Sequence, residues 1–419
     1  MNLCHVALLS LTLSLLGCQK SLPPTSSEKD PKQYAYQSIH GPTVDDEIKF
    51  YEQRCAERPR SWADKNFLAQ AYLAKGQAED NDEMFEKAAA TAEESLKIRS
   101  EFNQEARLVL AGVAEGHHNF KKSYEICRQL YDQDPGTSGL NSMISNALLE
   151  MGQVEEAEQW SRPLLARPAT ASVLVHGARV AIYAGKDDDA LRYLKGALKL
   201  EQPQERKTSA RIRSLWGDIE LRHGRLKEAR EFLEASLKIH QRSLPALLAM
   251  ARLERREGHP EKALVHLRGA HQHFGNPAIL TEMAAMEERL GNHDAAKKLR
   301  KEAETVLREE VGSGLIGHAR DLSRVLLDSG NAKEALQVAR DEEQYRSDFK
   351  NYELQALCHQ ALGQPKEALA CMEKALAHGY QDPLLFARAA RLAAEVKDPR
   401  ASEWEKRWKD LDAGATLEQ

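Results

Sequence analysis

Aromatic side chains are scarce in this 419-residue chain, at 6%. The bulk is Ala, Leu, Glu, Lys and Arg, a mix that favours helix over sheet. No run of 18 apolar residues occurs, so no segment reads as a permanent membrane span. Charge of one sign is also missing. Lys plus Arg number 59 against 64 Asp plus Glu, a formal −5, which gives no reason to expect nucleic acid as a partner. Cysteines number only six, and no HExxH, Cys–His or Ser–His–Asp pattern stands in the sequence. Nothing therefore reads as a catalytic, metal or cofactor site. The 42% hydrophobic share is nevertheless enough to bury a core, and it comes in short amphipathic blocks.

The N-terminus differs from the rest. Val6 to Leu16 is an eleven-residue apolar stretch of secretory-signal length, followed by Gly17 and Cys18. The leading Met1 to His5 carries no Lys or Arg. Leu15-Leu16-Gly17-Cys18 resembles the lipobox of bacterial lipoproteins. That resemblance implies removal of residues 1–17, acylation of Cys18 and firm anchoring by several acyl chains. Gln19 after the cysteine is not Asp, which by resemblance to enterobacterial lipoprotein sorting implies the periplasmic face of the outer membrane. Residues 18–42 read as a flexible tether carrying Pro23, Pro24, Pro31 and Pro42, with a reach on the order of 25 Å.

The body is periodic. A Gly followed five residues later by Ala recurs at Gly152, Gly185, Gly224, Gly258, Gly291, Gly330 and Gly363, at intervals of 33, 39, 34, 33, 39 and 33 residues. One period earlier His118 takes the glycine place and Ser123 the alanine place. The Gly ends a first helix in the left-handed backbone conformation, and a polar turn then starts a second helix. The small Ala lets the two helices approach closely. Ala251 and Ala284 supply a second small contact, Trp216 fills volume, and Pro135 and Pro168 stop second helices.

This spacing resembles the tetratricopeptide repeat over residues 44–411. It implies an all-α, right-handed superhelical solenoid of nine or ten helix pairs spanning 43–413, with 414–419 a disordered tail. The long first pair (Gly76 then Ala88 after an acidic insertion), the His118 turn and the Ala-rich last repeats are similar to bacterial repeat lipoproteins. Thr43 and Asp46 are spaced as a capping box for a lone first helix. Trp404 and Trp408 are expected to lie over the last pair as a cap.

Other patterns have simpler readings. Gly312-Ser313-Gly314-Leu315-Ile316-Gly317 matches a dinucleotide fingerprint but follows a helical segment, so it reads as a loop. His266, His271 and His273 lack ligand spacing. His117 and His118 sit at a helix end, where cationic or polar side chains suit the dipole, and Asp187, Asp188 and Asp189 suit a helix start. Cys55, Cys127, Cys358 and Cys371 are expected as free, buried thiols, although Cys358 and Cys371 share one repeat and could pair.

The resemblance also implies which first-helix places face the concave groove. They are Arg179, Arg211, Arg222, Arg252, Arg255, Arg256, Arg289, Arg320 and Arg324. A guanidinium-lined groove suits carboxylates, acidic peptides or phosphate-bearing polymers. The alternative is a solvated face neutralised by Glu254, Glu257 and Glu288. Asn146 stands where chaperone-binding repeats hold a terminal carboxylate, but without the lysine, which excludes that function. The expected function is a membrane-tethered scaffold of the cell envelope that binds a protein or peptide. A structural subunit of an envelope complex (of the outer-membrane biogenesis, pilotin or wall-hydrolase adaptor type) is the alternative, and an enzyme is disfavoured.

Overall fold

The computed structural model describes residues 43–415, apart from 80, 138, 167 and 413. The expected signal sequence, Cys18 and the expected tether lie outside the described residues. A lone helix, α1 (Val44–Glu57), opens the array. Ten antiparallel pairs follow it, at the upper end of the expected number. The first five are α2 (Trp62–Glu79) with α3 (Asp82–Ile98), α4 (Gln104–Gly116) with α5 (Phe120–Gln133), α6 (Leu140–Glu150) with α7 (Val154–Leu165), α8 (Ala171–Tyr183) with α9 (Asp187–Lys199), and α10 (Arg206–Arg222) with α11 (Leu226–Ile239). The next three are α12 (Leu244–Arg256) with α13 (Pro260–Phe274), α14 (Pro277–Arg289) with α15 (His293–Gly312), and α16 (Ala319–Asp328) with α17 (Ala332–Glu343). The last two are α18 (Phe349–Ala361) with α19 (Pro365–Ala377), and α20 (Pro383–Glu395) with α21 (Ala401–Asp412). No strand occurs among the described residues, and no described helix is long and apolar enough to cross a membrane.

Local signals set the helix ends. Thr43 and Asp46 form the expected capping box on α1. Thr170, Asp348 and Asn276 each accept a backbone N–H at a helix start, and α13, α14, α19 and α20 open on proline. All seven periodic glycines have positive φ. His118 (φ 53°) and Lys397 (φ 59°) hold the same place without glycine, a conformation that costs an L-residue roughly 1–2 kcal/mol. Gly76 is the exception: α2 runs through it, and the ring of Phe85 lies against it.

The alanines explain the pairing. Ala157, Ala190, Ala229, Ala263, Ala296, Ala335 and Ala368 are all fully buried, as is Ser123 in the degenerate copy. Any larger side chain there would force the two helices of the pair apart. Ser145 and Ser323 donate to the carbonyls of Ala157 and Ala335 across their pairs, at 2.7 and 2.8 Å. Trp216 stacks on Phe232 at 4.8 Å between ring centres.

One expectation is corrected and two are narrowed. Trp404 and Trp408 do not lie over the last pair. They belong to α21, the second helix of the tenth pair, where Trp404 is buried and Trp408 donates to the Ala415 carbonyl. The repeat continues one pair further because Lys397 replaces the missing glycine. His118 does follow the C-cap of α4, but as the polar rather than the cationic alternative, because burial first, then Arg346 and His318, push it down to about 3. Burial likewise lowers His117. Of the four described cysteines, all carrying free thiols, Cys127 and Cys358 are buried but Cys55 and Cys371 only half so.

Candidate functional site

The array winds tightly enough to touch itself. The Met151 carbonyl accepts from the Ser347 amide 196 residues later. Arg222 donates to the Gln381 carbonyl at 2.6 Å, 159 residues away, and Arg256 pairs with Asp412, 156 residues away. At about 34 residues per repeat, one turn of the winding takes roughly five to six repeats. The contact runs along successive pair turns. His118 meets Gly317, Gly152 meets Ser347 and Asp348, Gly185 meets Gly379, and Gly224 meets Asp412. Tyr380, stacked on Phe349 at 4.1 Å and close to Tyr183, packs the middle of this seam.

The seam encloses a lumen lined by first helices. Three cavities of about 100, 300 and 410 Å³ lie along it. The first and second share Arg252 and Arg255, and the second and third share Leu248, Glu282 and Lys350, so the three adjoin. Their walls alternate guanidinium groups with apolar residues such as Leu248, Met286, Ile279 and Leu384.

The nine expected groove arginines divide by what holds them. Arg222 is buried, bonded to Asp187 on both terminal nitrogens as well as to Gln381. Burial opposes its charge, but Tyr380, Asp218 and Asp187 hold it above the usual guanidinium range. With Arg256, it belongs to the seam. Arg320 is bonded to Asp348 at 2.7 Å and lies 3.3 Å from Glu342, which fastens α16 to the segment before α18. Arg179 reaches Asn146 and Glu150 at 2.7 and 2.6 Å. Arg211 has no carboxylate within 4 Å among the described residues, and burial followed by neighbouring Arg179 draws it down to about 10.

Arg252, Arg255, Arg289 and Arg324 are brought together. Arg255 is depressed chiefly by burial; Arg252, Arg289 and Arg324 add to this and Glu282 opposes it. The Arg255 Nε is buried without a hydrogen-bond partner, and its nearest carboxylate, Glu282, lies 3.7 Å away. Arg252 pairs with Asp218 at 2.8 Å and Arg324 with Asp328 at 3.1 Å. Glu254, Glu257 and Glu288 do not neutralise this face. Glu254 and Glu257 bond Arg230, and Glu288 meets His293 and Arg300.

Sequence reasoning missed two members. Lys350 lines the second and third cavities and meets no carboxylate within 4 Å among the described residues. It stands at the second place of its pair, one of the groove places, and a count of all cations would have found it. Arg388, on α20, is within electrostatic reach of Arg324 and Arg255. It pairs with Glu353, yet burial first, then those two arginines, draw it down to about 10. It stands at the sixth place of its pair, as Glu282 does. That place turns inward because of the winding, which the repeat spacing does not report.

The remaining patterns are structural. Gly312 ends α15, and Ile316–His318 is a single turn of 3-10 helix, so the dinucleotide-like run is a loop whose Gly317 touches His118. Asp187 starts α9 and takes up Arg222 and His223.

Ten helix pairs among the described residues, eight of them with a fully buried Ala or Ser at the close crossing, define a tetratricopeptide-type solenoid, a fold that suggests a protein-interaction scaffold. The tetratricopeptide repeat family model matches residues 349–377. No curated protein sequence matches the chain. Among solved structures, the human IFIT1 dimer with PPP-AAAA is similar at 14% identity, covering 83% of this chain and 96% of that one, with a TM-score of 0.45. Yeast Tom70 is similar at 14% identity, covering 88% of each chain, with a TM-score of 0.36. MamA from Desulfovibrio magneticus RS-1 is similar at 20% identity over 41% of this chain and 95% of that one, with a TM-score of 0.26.

Proposed function

We propose that this chain is a membrane-tethered scaffold of the bacterial cell envelope, without enzymatic activity, that seats a segment of a protein partner in its lumen. The carrying observation is the convergence of Arg252, Arg255, Arg324 and Lys350, from three different helix pairs, on adjoining cavities with apolar walls, with Arg388 of a fourth pair within electrostatic reach of Arg324 and Arg255. A face built only for solubility would disperse like charges, because each unit charge brought near another opposes folding. Anchoring rests on Leu15-Leu16-Gly17-Cys18, with acylated Cys18 holding the outer membrane and residues 18–42 spacing the array from it.

Cross-linking followed by pulldown from detergent-solubilised membranes tests this reading. A defined partner is expected, and its capture falls when Arg252 and Arg255 are reversed to Glu. Recovery of this chain alone overturns the scaffold reading in favour of self-assembly. Arg256 is kept intact in that variant because its pairing with Asp412 belongs to the seam.

A further inference from the structure

We propose that Arg255, Arg324 and Arg388 together form a carboxylate-binding site across the lumen, and that the segment seated there is an acidic, extended stretch of polypeptide. This rests on the reading of the lumen as the partner-binding surface. The three residues stand on α12, α16 and α20, the first helices of alternate pairs; Arg255 and Arg324 line adjoining cavities and Arg388 lies within electrostatic reach of both, so no two neighbouring repeats build the site. Each retains donors for a ligand. Arg255 has its nearest carboxylate at 3.7 Å, Arg324 meets Asp328 through Nε alone, and Arg388 meets Glu353 through one terminal nitrogen. A guanidinium carries five N–H donors in a planar fork, so the unused edges fit carboxylates in paired geometry.

The surroundings favour a peptide over a bare polyanion. Leu248, Ala251 and Met286 stand beside Arg252 and Arg255 in one cavity, and Leu221, Pro383 and Leu384 beside them in the next. Carboxylates of the chain (Glu282, Glu353, Asp328) are interspersed with the arginines. They would repel a continuous phosphate chain, but a peptide can set its acidic side chains between them and its apolar ones on the leucines. The seam from Gly152 to Asp412 closes the groove along one side, so the segment has to enter end-on or as a narrow extended chain.

The test is fluorescence anisotropy on the full chain in detergent, with a fluorescein-labelled decapeptide alternating glutamate and leucine. Expected is saturable binding, weakened at least tenfold in Arg255→Gln with Arg388→Gln and unchanged in Arg308→Gln, which alters an outer-face arginine paired with Glu334. Raising salt from 50 to 500 mM weakens it too. Arg255→Lys with Arg388→Lys keeps the charge and the fold but loses the fork geometry, so an intermediate loss is expected there. Equal binding in all variants, or binding of the lysine–leucine counterpart peptide, overturns the site. Binding of tripolyphosphate but not of the acidic peptide overturns the ligand class. Partner capture that persists in the Arg255→Gln, Arg388→Gln protein overturns this site while leaving the scaffold reading standing.

Discussion

Gly185 lies directly against the carbonyl of Gly379, on the turn after α19, so that a Cβ on Gly185 would collide with that oxygen. Both residues have positive φ, at 69° and 77°. The glycine that ends α8 thus does two jobs, closing a helix and letting one turn of the winding touch the next. Gly258 does only the first, with nothing within 4 Å of where its Cβ would stand. Gly258→Ala is expected to cost about 1–2 kcal/mol, the left-handed strain alone. Gly185→Ala should cost distinctly more and should expand the molecule in small-angle scattering. Equal costs in thermal unfolding, with unchanged scattering, would show that the seam is incidental.

The buried pair of Arg213 and Glu201 makes a second contrast. Arg213 is fully buried and donates to Glu201 at 2.6 and 3.3 Å and to the Ser209 carbonyl at 2.9 Å. Arg213→Ala leaves a buried carboxylate facing a hole and is expected to cost about 3–5 kcal/mol. Replacing both, Arg213→Met with Glu201→Leu, should restore most of that. Denaturant titration of the three proteins measures it, and additive losses in the double variant would contradict it.

Acid should loosen the seam at His118. Burial, then Arg346, His318, Arg320 and His117, hold this imidazole down to about 3 in the folded chain, against about 6.5 when unfolded. Below pH 6.5 the unfolded state therefore takes up the proton first, so stability is full above 6.5 and declines as pH falls toward 3. His176, buried and drawn down to about 4, acts in the same window. His318 runs the other way: burial opposes its charge, but its bond to Glu310 raises it, so its contribution is lost as pH rises. His118→Asn, which tolerates the left-handed backbone, should flatten part of the slope of melting temperature between pH 4 and 6.5. Parallel curves for the two proteins would remove His118 from that role.

Anchoring is tested at one atom. Cys18→Ser should release the protein from membranes and abolish palmitate labelling. A variant that still sediments with membranes would dismiss the lipobox.

The pairing was legible because it rests on local necessity. Gly258 needs a left-handed backbone and Ala263 a close helix crossing, and both leave a mark at fixed spacing. The groove places were legible only halfway. Arg252, Arg255 and Arg324 do face the lumen, but Arg222 and Arg256, chosen by the same spacing, are spent on Gln381 and Asp412. Arg388 could not be found at all by counting along a repeat. Which side chains meet across the lumen depends on how many repeats make one turn. That number follows from small rotations summed over many pairs, and no single repeat encodes it.

The most direct measurement is photo-cross-linking from inside and outside the array. A photoreactive side chain at Leu248 stands in the lumen, and one at Val265, 64% exposed on α13, stands outside it. A defined partner captured from Leu248 and not from Val265 is the predicted result. Capture from Val265 alone, or adducts of the chain only with itself, would contradict a lumen that holds a partner.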